Sequence, residues 1–417
     1  MDELIHGLVK NLGIGYLFVI TAVMLYLLAK GADLLVDEAV TLSTRWGVPK
    51  VLIGATVVSL GTTAPEASVS VLAAIKGSPG LALGNAVGSI ICDTGLILGT
   101  AALIAPLPLN RKIVNRQGWL QLGAGFLLVI ACLPFGSLHT TFSEELLFSV
   151  ELKHQSELDE GSLSDNLKQE FQSQGISLSQ SSTVSVLQEG RKWQVTHPEK
   201  SRCYSIRKES DEISIYKGGG QLPQFMGFVF LVLLAAYLWQ SIRWSRNQDS
   251  GISTEETEES ADSHNVLFSF FKLLFAIVIV VVSSLILIPT VKEIALRIHV
   301  PDSIIAATLV AFGTSLPEFV TVVAAARRGH GELAVGNIIG ADILNVLFVC
   351  GAAAAVTKGG LFAEAQFFRL FFPTMLFILI VFRVGIFVSG SKLKRPFGFV
   401  LIGAYIVVTI LSYAYGT

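Results

Sequence analysis

Gly61-Thr62-Thr63-Ala64-Pro65-Glu66 returns 252 residues later as Gly313-Thr314-Ser315-Leu316-Pro317-Glu318, and both copies stand in strongly apolar sequence. Further on, Gly84-Asn85-Ala86-Val87-Gly88 returns as Gly336-Asn337-Ile338-Ile339-Gly340. The whole stretch from Val48 to Gly99 aligns without a gap to Val300–Gly351, with 21 identities over 52 positions. The identities include Glu66/Glu318 and Pro65/Pro317. A carboxylate costs so much in an apolar span that it marks a working site by default. Each proline lacks an N–H and clashes with the preceding turn. That frees the carbonyls of Gly61 and Gly313 and bends the chain at a depth where irregular backbone survives only beside a cavity or a bound group.

Composition agrees with a membrane protein. The chain is 52% hydrophobic and 15% charged, with mean hydropathy +0.63, whereas soluble chains carry about 25% charged residues. A net charge of −2 without a basic cluster gives no footing for nucleic acid. Cys92, Cys132 and Cys350 sit in apolar spans and Cys203 stands alone in a polar stretch, so no disulfide framework is expected. The first apolar run continues past the length of a removed signal, so it reads as a retained span.

Segments long enough to cross a bilayer, about 17–25 residues, fall at 11–30, 48–74, 79–104, 117–136, 223–242, 266–290, 302–326, 332–356, 366–389 and 397–415. The expected fold is an all-α membrane protein of ten transmembrane helices. The repeat offset pairs the second span with the seventh and the third with the eighth. Each half then has five spans, and an odd number makes the second half enter inverted. Domains follow: 1–136 holds spans one to four with the first repeat at 48–99, and 137–222 is a polar insert. Span five is 223–242, an acidic linker covers 243–265, and 266–417 holds the second half with its repeat at 300–351. Lys and Arg set the orientation. Twelve (Arg45, Lys50, Arg111, Lys112, Arg116, Arg243, Arg246, Arg327, Arg328, Lys392, Lys394, Arg395) fall on one side and six on the other, leaving out the insert. Both termini and the insert are therefore expected to be extracytoplasmic.

The insert is expected to be a small α+β lobe. Leu167–Gln174 reads as a helical turn or two, and 183–195 and 203–216 alternate like strands. Asn247–His264, with Glu255-Glu256-Thr257-Glu258-Glu259, lacks the glycine-turned loop of a calcium hand and reads as a solvated linker.

At the motifs, Thr62, Thr63, Thr314 and Ser315 offer hydroxyls beside the two glutamates and the freed carbonyls. Such an all-oxygen set suits hard cations such as Ca²⁺ or Na⁺; there is no paired His or Cys for zinc or copper. On the following helix Asn85, Ser89 and Asp93 share one face, and the second half carries Asn337, Ala341 and Asn345 there. The glycines at small-xxx-small spacing read as close-packing positions. Asp342, three before Asn345, either approaches the site or pairs locally with a hydroxyl. Asp33 and Glu38 are expected to be solvated or capping, and Arg383 to snorkel to the cytoplasmic edge.

These paired motifs resemble the alpha repeats of the calcium/cation antiporter superfamily, specifically the sodium/calcium exchangers, and the resemblance covers nearly all of the chain outside 137–222. It implies alternating access, with Na⁺ entry driving Ca²⁺ extrusion through four subsites, and no cofactor or enzymatic reaction. By position, the Ca²⁺ site would use Glu66 and Glu318 with the carbonyls of Thr62 and Thr314. The Na⁺ sites would use Thr63, Ser89 and Ser315 with the main-chain oxygens of Ser59 and Ala311, and Asp93 and Asn345 would line the middle subsite. Asp342 stands where the family commonly has asparagine, and Ala341 replaces a serine, which leaves Na⁺ stoichiometry and K⁺ co-transport open. A Ca²⁺/H⁺ antiporter is the nearest rival, but Ala67 and Phe319 follow the glutamates where proton-coupled members tend to have a histidine-containing motif. A cation channel would need a continuous pore. The expected partners are the lipid bilayer and the transported ions, with the protein a monomer.

Overall fold

The computed structural model describes residues 12–75, 79–109, 111–134, 142, 145–151, 158–159, 162–163, 183–187, 192–197, 202–209, 212–217, 219–246, 263–297, 313–390 and 392–416. The helical turn expected at 167–174, the linker at 247–262, the start of the seventh span and Ala311 lie outside them.

Helix α1 (Ile14–Trp46) ends where Gly47 takes a left-handed φ of 62° and its N–H caps Ser43 and Thr44, the usual glycine stop. It runs well past the expected end at residue 30, because nothing between there and Gly47 breaks a helix. Glu38 therefore lies within α1, buried and 3.4 Å from Lys272, which corrects its expected solvation. Helices α2 (Lys50–Thr62) and α3 (Ala64–Ile75) meet at a 44° bend, at the Thr63–Pro65 break that the proline imposes. The chain continues through α4 (Pro79–Ile104), α5 (Arg111–Cys132), α6 (Gln224–Arg246), α7 (Ser263–Arg297), α8 (Leu316–Arg327), α9 (Gly331–Val356), α10 (Phe367–Ser389) and α11 (Arg395–Gly416). Six of these helices are long and apolar enough to cross a membrane, and the bent pair α2–α3 makes a seventh. Of the described residues, α8 and the apolar part of α11 are shorter.

The long helices α1 and α7 pack along one another. They expose apolar side chains such as Tyr16, Val19, Val23, Phe275 and Val278 on their outer faces, as a lipid-facing surface does. The buried core lies among α2–α5 and α8–α10 and includes Leu83, Leu98, Ile338, Phe372 and Phe382. Arg383 belongs to this interior. Its Nη2 donates to Asn115 Oδ1, and the guanidinium lies 4.5 Å from the Trp119 ring centroid and 4.9 Å from that of Phe387. At 4% exposure it is covered by protein; two aromatic faces hold it between α5 and α10.

Strand β1 (Leu107–Pro108) follows α4. The insert contributes β2 (Glu145–Glu151), β3 (Thr183–Leu187), β4 (Lys192–His197), β5 (Arg202–Glu209) and β6 (Glu212–Lys217). These five form an antiparallel sheet in the order β2-β6-β5-β4-β3. Each stretch read from sequence as alternating like strands is nearly a whole hairpin, and β2 was not expected. Three short strands clasp helix ends: β7 (Gly220–Leu222) before α6, β8 (Leu361–Ala363) after α9, and β9 (Lys392–Leu393) before α11. β1 pairs with β9 and β7 with β8, both antiparallel.

Candidate functional site

The two proline breaks face each other in the core. Thr63 Oγ1 donates to Glu318 Oε1 at 3.2 Å, and its repeat partner Ser315 Oγ donates to Glu66 Oε1 at 3.5 Å. Thr62 Oγ1 reaches Asn337 Oδ1 at 3.5 Å, and Thr314 Oγ1 reaches Asn85 Oδ1 at 3.3 Å. Asn345 Nδ2 donates to Asp93 Oδ2 at 3.4 Å, two positions that are themselves 252 apart. Every pair links a residue of one repeat to the counterpart of its partner in the other. Such reciprocity is what a two-fold relation produces.

Local structure fixes these side chains. Thr62 and Thr63 end α2, where the Thr63 N–H bonds the Ser59 carbonyl at 2.9 Å, so that oxygen is already engaged by the helix. Asn85 Nδ2 bonds the Glu66 carbonyl at 3.3 Å and Ser70 Oγ at 3.0 Å, tying α4 to α3 beside the break. Asp93 and Asn345 stand in π-helical turns, Ile91–Ile97 and Asn345–Cys350, and a third π-turn, Gly54–Val58, precedes Ser59. Widened turns of this kind gather at functional sites. They have no signature in residue spacing, so sequence reading missed them.

The interior is acidic. Glu66, Glu318, Asp93, Ser59, Thr62, Thr63 and Ser315 are fully buried, Asn345 and Asp342 are 1% exposed, and Ser89 is 3% exposed. Thr314 is half-buried. Glu66 is repelled by Glu318 and Asp93, and Asp93 by Glu318 and Asp342. Among the described residues, Glu66 Oε2, Glu318 Oε2, Asp93 Oδ1, Asn345 Oδ1 and Asp342 Oδ1 have no hydrogen-bond partner. Among the described residues no Lys, Arg or His pairs with these carboxylates. A buried unpaired acceptor is costly, and those of Glu66, Glu318, Asp93 and Asn345, with net negative charge, form an environment that a desolvated cation would satisfy. Among the described residues no three His, Cys, Asp or Glu groups are close enough to hold a metal by themselves. A cation held here would need hydroxyl, amide and backbone oxygens as well.

Asp342 takes the local option. Its Oδ2 accepts from Thr94 Oγ1 and, at 2.5 Å, from Gln121 Nε2. Thr94 and Gln121 escaped the sequence reading. Their only signal was polarity in mid-span, which the repeat did not echo.

Fold and site together define a helical membrane protein with an acidic interior built around the α2–α3 break and the start of α8. A family model described as sodium/calcium exchanger protein matches residues 16–153 and 268–414, more than half of the chain, and the chain belongs to that family. It is 28% identical over 402 residues to the Sodium/calcium exchanger MaX1 of Methanosarcina acetivorans, covering 95% of this chain and 98% of that one. It is 27% identical over 389 residues to the Inner membrane protein YrbG of Escherichia coli, covering 93% and 94%. A solved structure of the sodium-calcium exchanger NCX_Mj, soaked with 10 mM Na⁺ and zero Ca²⁺, superposes with a TM-score of 0.64 at 22% identity, over 95% of this chain and 98% of that chain. At that identity the likeness speaks for the fold.

Proposed function

We propose that the protein is a secondary active antiporter that exchanges Na⁺ for Ca²⁺ across the membrane by alternating access. The observation that carries this is the set of reciprocal hydroxyl–carboxylate contacts around buried, unpaired carboxylate oxygens. Glu66 and Glu318 supply the two negative charges of a Ca²⁺ site, with the main-chain oxygens of Thr62 and Thr314. Thr63, Ser89 and Ser315, with the carbonyls of Ser59 and Ala311, serve Na⁺, and Asp93 and Asn345 line the position between. The reciprocity of contacts, and of the β1–β9 and β7–β8 clasps, supports ten spans in two inverted halves. The Lys/Arg asymmetry supports termini and insert on the extracytoplasmic side.

The test is ⁴⁵Ca²⁺ flux into proteoliposomes with Na⁺, K⁺ and pH gradients imposed one at a time. The proposal expects uptake driven by an outward Na⁺ gradient. Uptake that follows only the pH gradient would replace Na⁺ by H⁺ as the coupling ion. Passive uptake that needs no counter-ion would indicate a channel.

A further inference from the structure

Asp342 lies at the meeting of three helices: Asp342 on α9, Thr94 on α4 and Gln121 on α5. Gln121 Nε2 is 3.3 Å from Thr94 Oγ1 as well as 2.5 Å from Asp342 Oδ2, so the three polar groups form one closed cluster. All three are buried, at 3% exposure or less. A purely structural cluster would use up its acceptors, yet Asp342 Oδ1 is buried and has no partner among the described residues. Among the described residues no cationic side chain pairs with it.

The cluster also breaks the reciprocity of the exchange site. The repeat counterparts of Asp342 and Thr94 are Ile90 and Val346, both buried and apolar. The duplication accounts for Glu66, Glu318, Asp93 and Asn345, but not for this carboxylate. One turn before Gln121 on α5, Gln117 is buried with both amide atoms unpaired among the described residues, which extends the polar ground beyond the cluster.

We infer that Asp342, Thr94 and Gln121 form an additional binding position for a monovalent alkali cation, next to the exchange site and outside its duplicated frame. The donor set selects the charge. One carboxylate, one hydroxyl and one amide, which presents its oxygen when it turns over, give a single negative charge with neutral oxygens around it. Ca²⁺ takes 6–8 oxygens, typically from several carboxylates, and is poorly served here. The inference rests on the antiporter reading for its place in transport, but the binding position is testable without it.

The experiment is equilibrium binding of ²²Na⁺, and of ⁸⁶Rb⁺ as a probe for K⁺, to the purified full-length protein without Ca²⁺. Asp342→Asn should bind about one alkali ion fewer per protein than the parent, as expected when a single buried charge is removed. The double variant Asp342→Asn/Gln121→Glu returns the charge to the same cluster and should restore the ion. Equal ion numbers in parent and Asp342→Asn, for both probes, would overturn the inference. So would a lost ion that the folded double variant fails to restore. Should Asp342→Asn not fold, Thr94→Val and Gln121→Met should each weaken binding of one ion several-fold, and unchanged isotherms would count against the site. The antiporter reading fails separately, if Na⁺ gradients drive no ⁴⁵Ca²⁺ flux in the parent protein.

Discussion

Helices α4 and α9 carry the same Gly-Asn-x-x-Gly frame, yet they carry different charges. A Cβ on Gly336 of α9 would lie 2.2 Å from the Val51 carbonyl of α2, and one on Gly340 would lie 2.5 Å from the backbone of Ala55. From the other side, a Cβ on Gly54 would meet the Leu333 carbonyl at 2.5 Å. On α9 the glycines thus let two backbones touch. The charges of the two helices differ, since α4 carries Asp93 where α9 carries Asn345, and α9 adds Asp342.

The largest effect is expected where the halves are alike. Glu66→Gln and Glu318→Gln should each abolish Ca²⁺ transport in a folded protein, because an amide keeps the shape and loses the charge that a divalent ion needs. Normal ⁴⁵Ca²⁺ uptake in either variant would remove these two residues from the site. Next come the glycines. Gly336→Ala forces backbone against backbone and should cost about 1–3 kcal/mol, as overpacking does. Thermal melts of the variant beside the parent measure the cost, and an unchanged midpoint would count against the close approach.

The charge difference is addressed by Asp93→Asn. Three Na⁺ match the charges of Glu66, Asp93 and Glu318, while one Ca²⁺ matches two. The variant should therefore keep Ca²⁺ binding and lose much of the competition by Na⁺. Loss of Ca²⁺ binding with Na⁺ competition intact would instead make Asp93 a direct Ca²⁺ ligand. The smallest effect is expected from replacing 145–217 by a short glycine linker, since the repeat contains no counterpart of the insert and exchange should persist. A correctly inserted deletion variant without flux would give the lobe a part in the cycle.

Much of this was legible in sequence because apolar spans, prolines and carboxylates carry their chemistry in residue type. Pro65 and Pro317 announced the breaks, and Glu66, Glu318 and Asp93 announced the acidic interior. Other features depend on what packs alongside, which spacing does not encode. The covering of Arg383 by Trp119 and Phe387 could not be read from spacing. Glu38 looked solvated until Lys272 approached from α7. Asp342 could be placed only once α4 and α5 brought Thr94 and Gln121 to it. The π-turns at Asp93 and Asn345 belong to the same class, because a widened turn reflects how the helix fits its neighbours and is not written in composition.

The clasp between β1 and β9 joins Leu107 to Leu393, and that pairing has a consequence for how the chain is made. Residue 393 leaves the ribosome only after the greater part of the chain has followed residue 107, so the clasp cannot close during synthesis of the first half. The same delay applies to the core, where Glu66 waits for Ser315 and Thr63 waits for Glu318. A nascent first half therefore enters the membrane carrying Glu66 and Asp93 without their partners. It is a half-built product whose safest moment comes only when the last helices arrive.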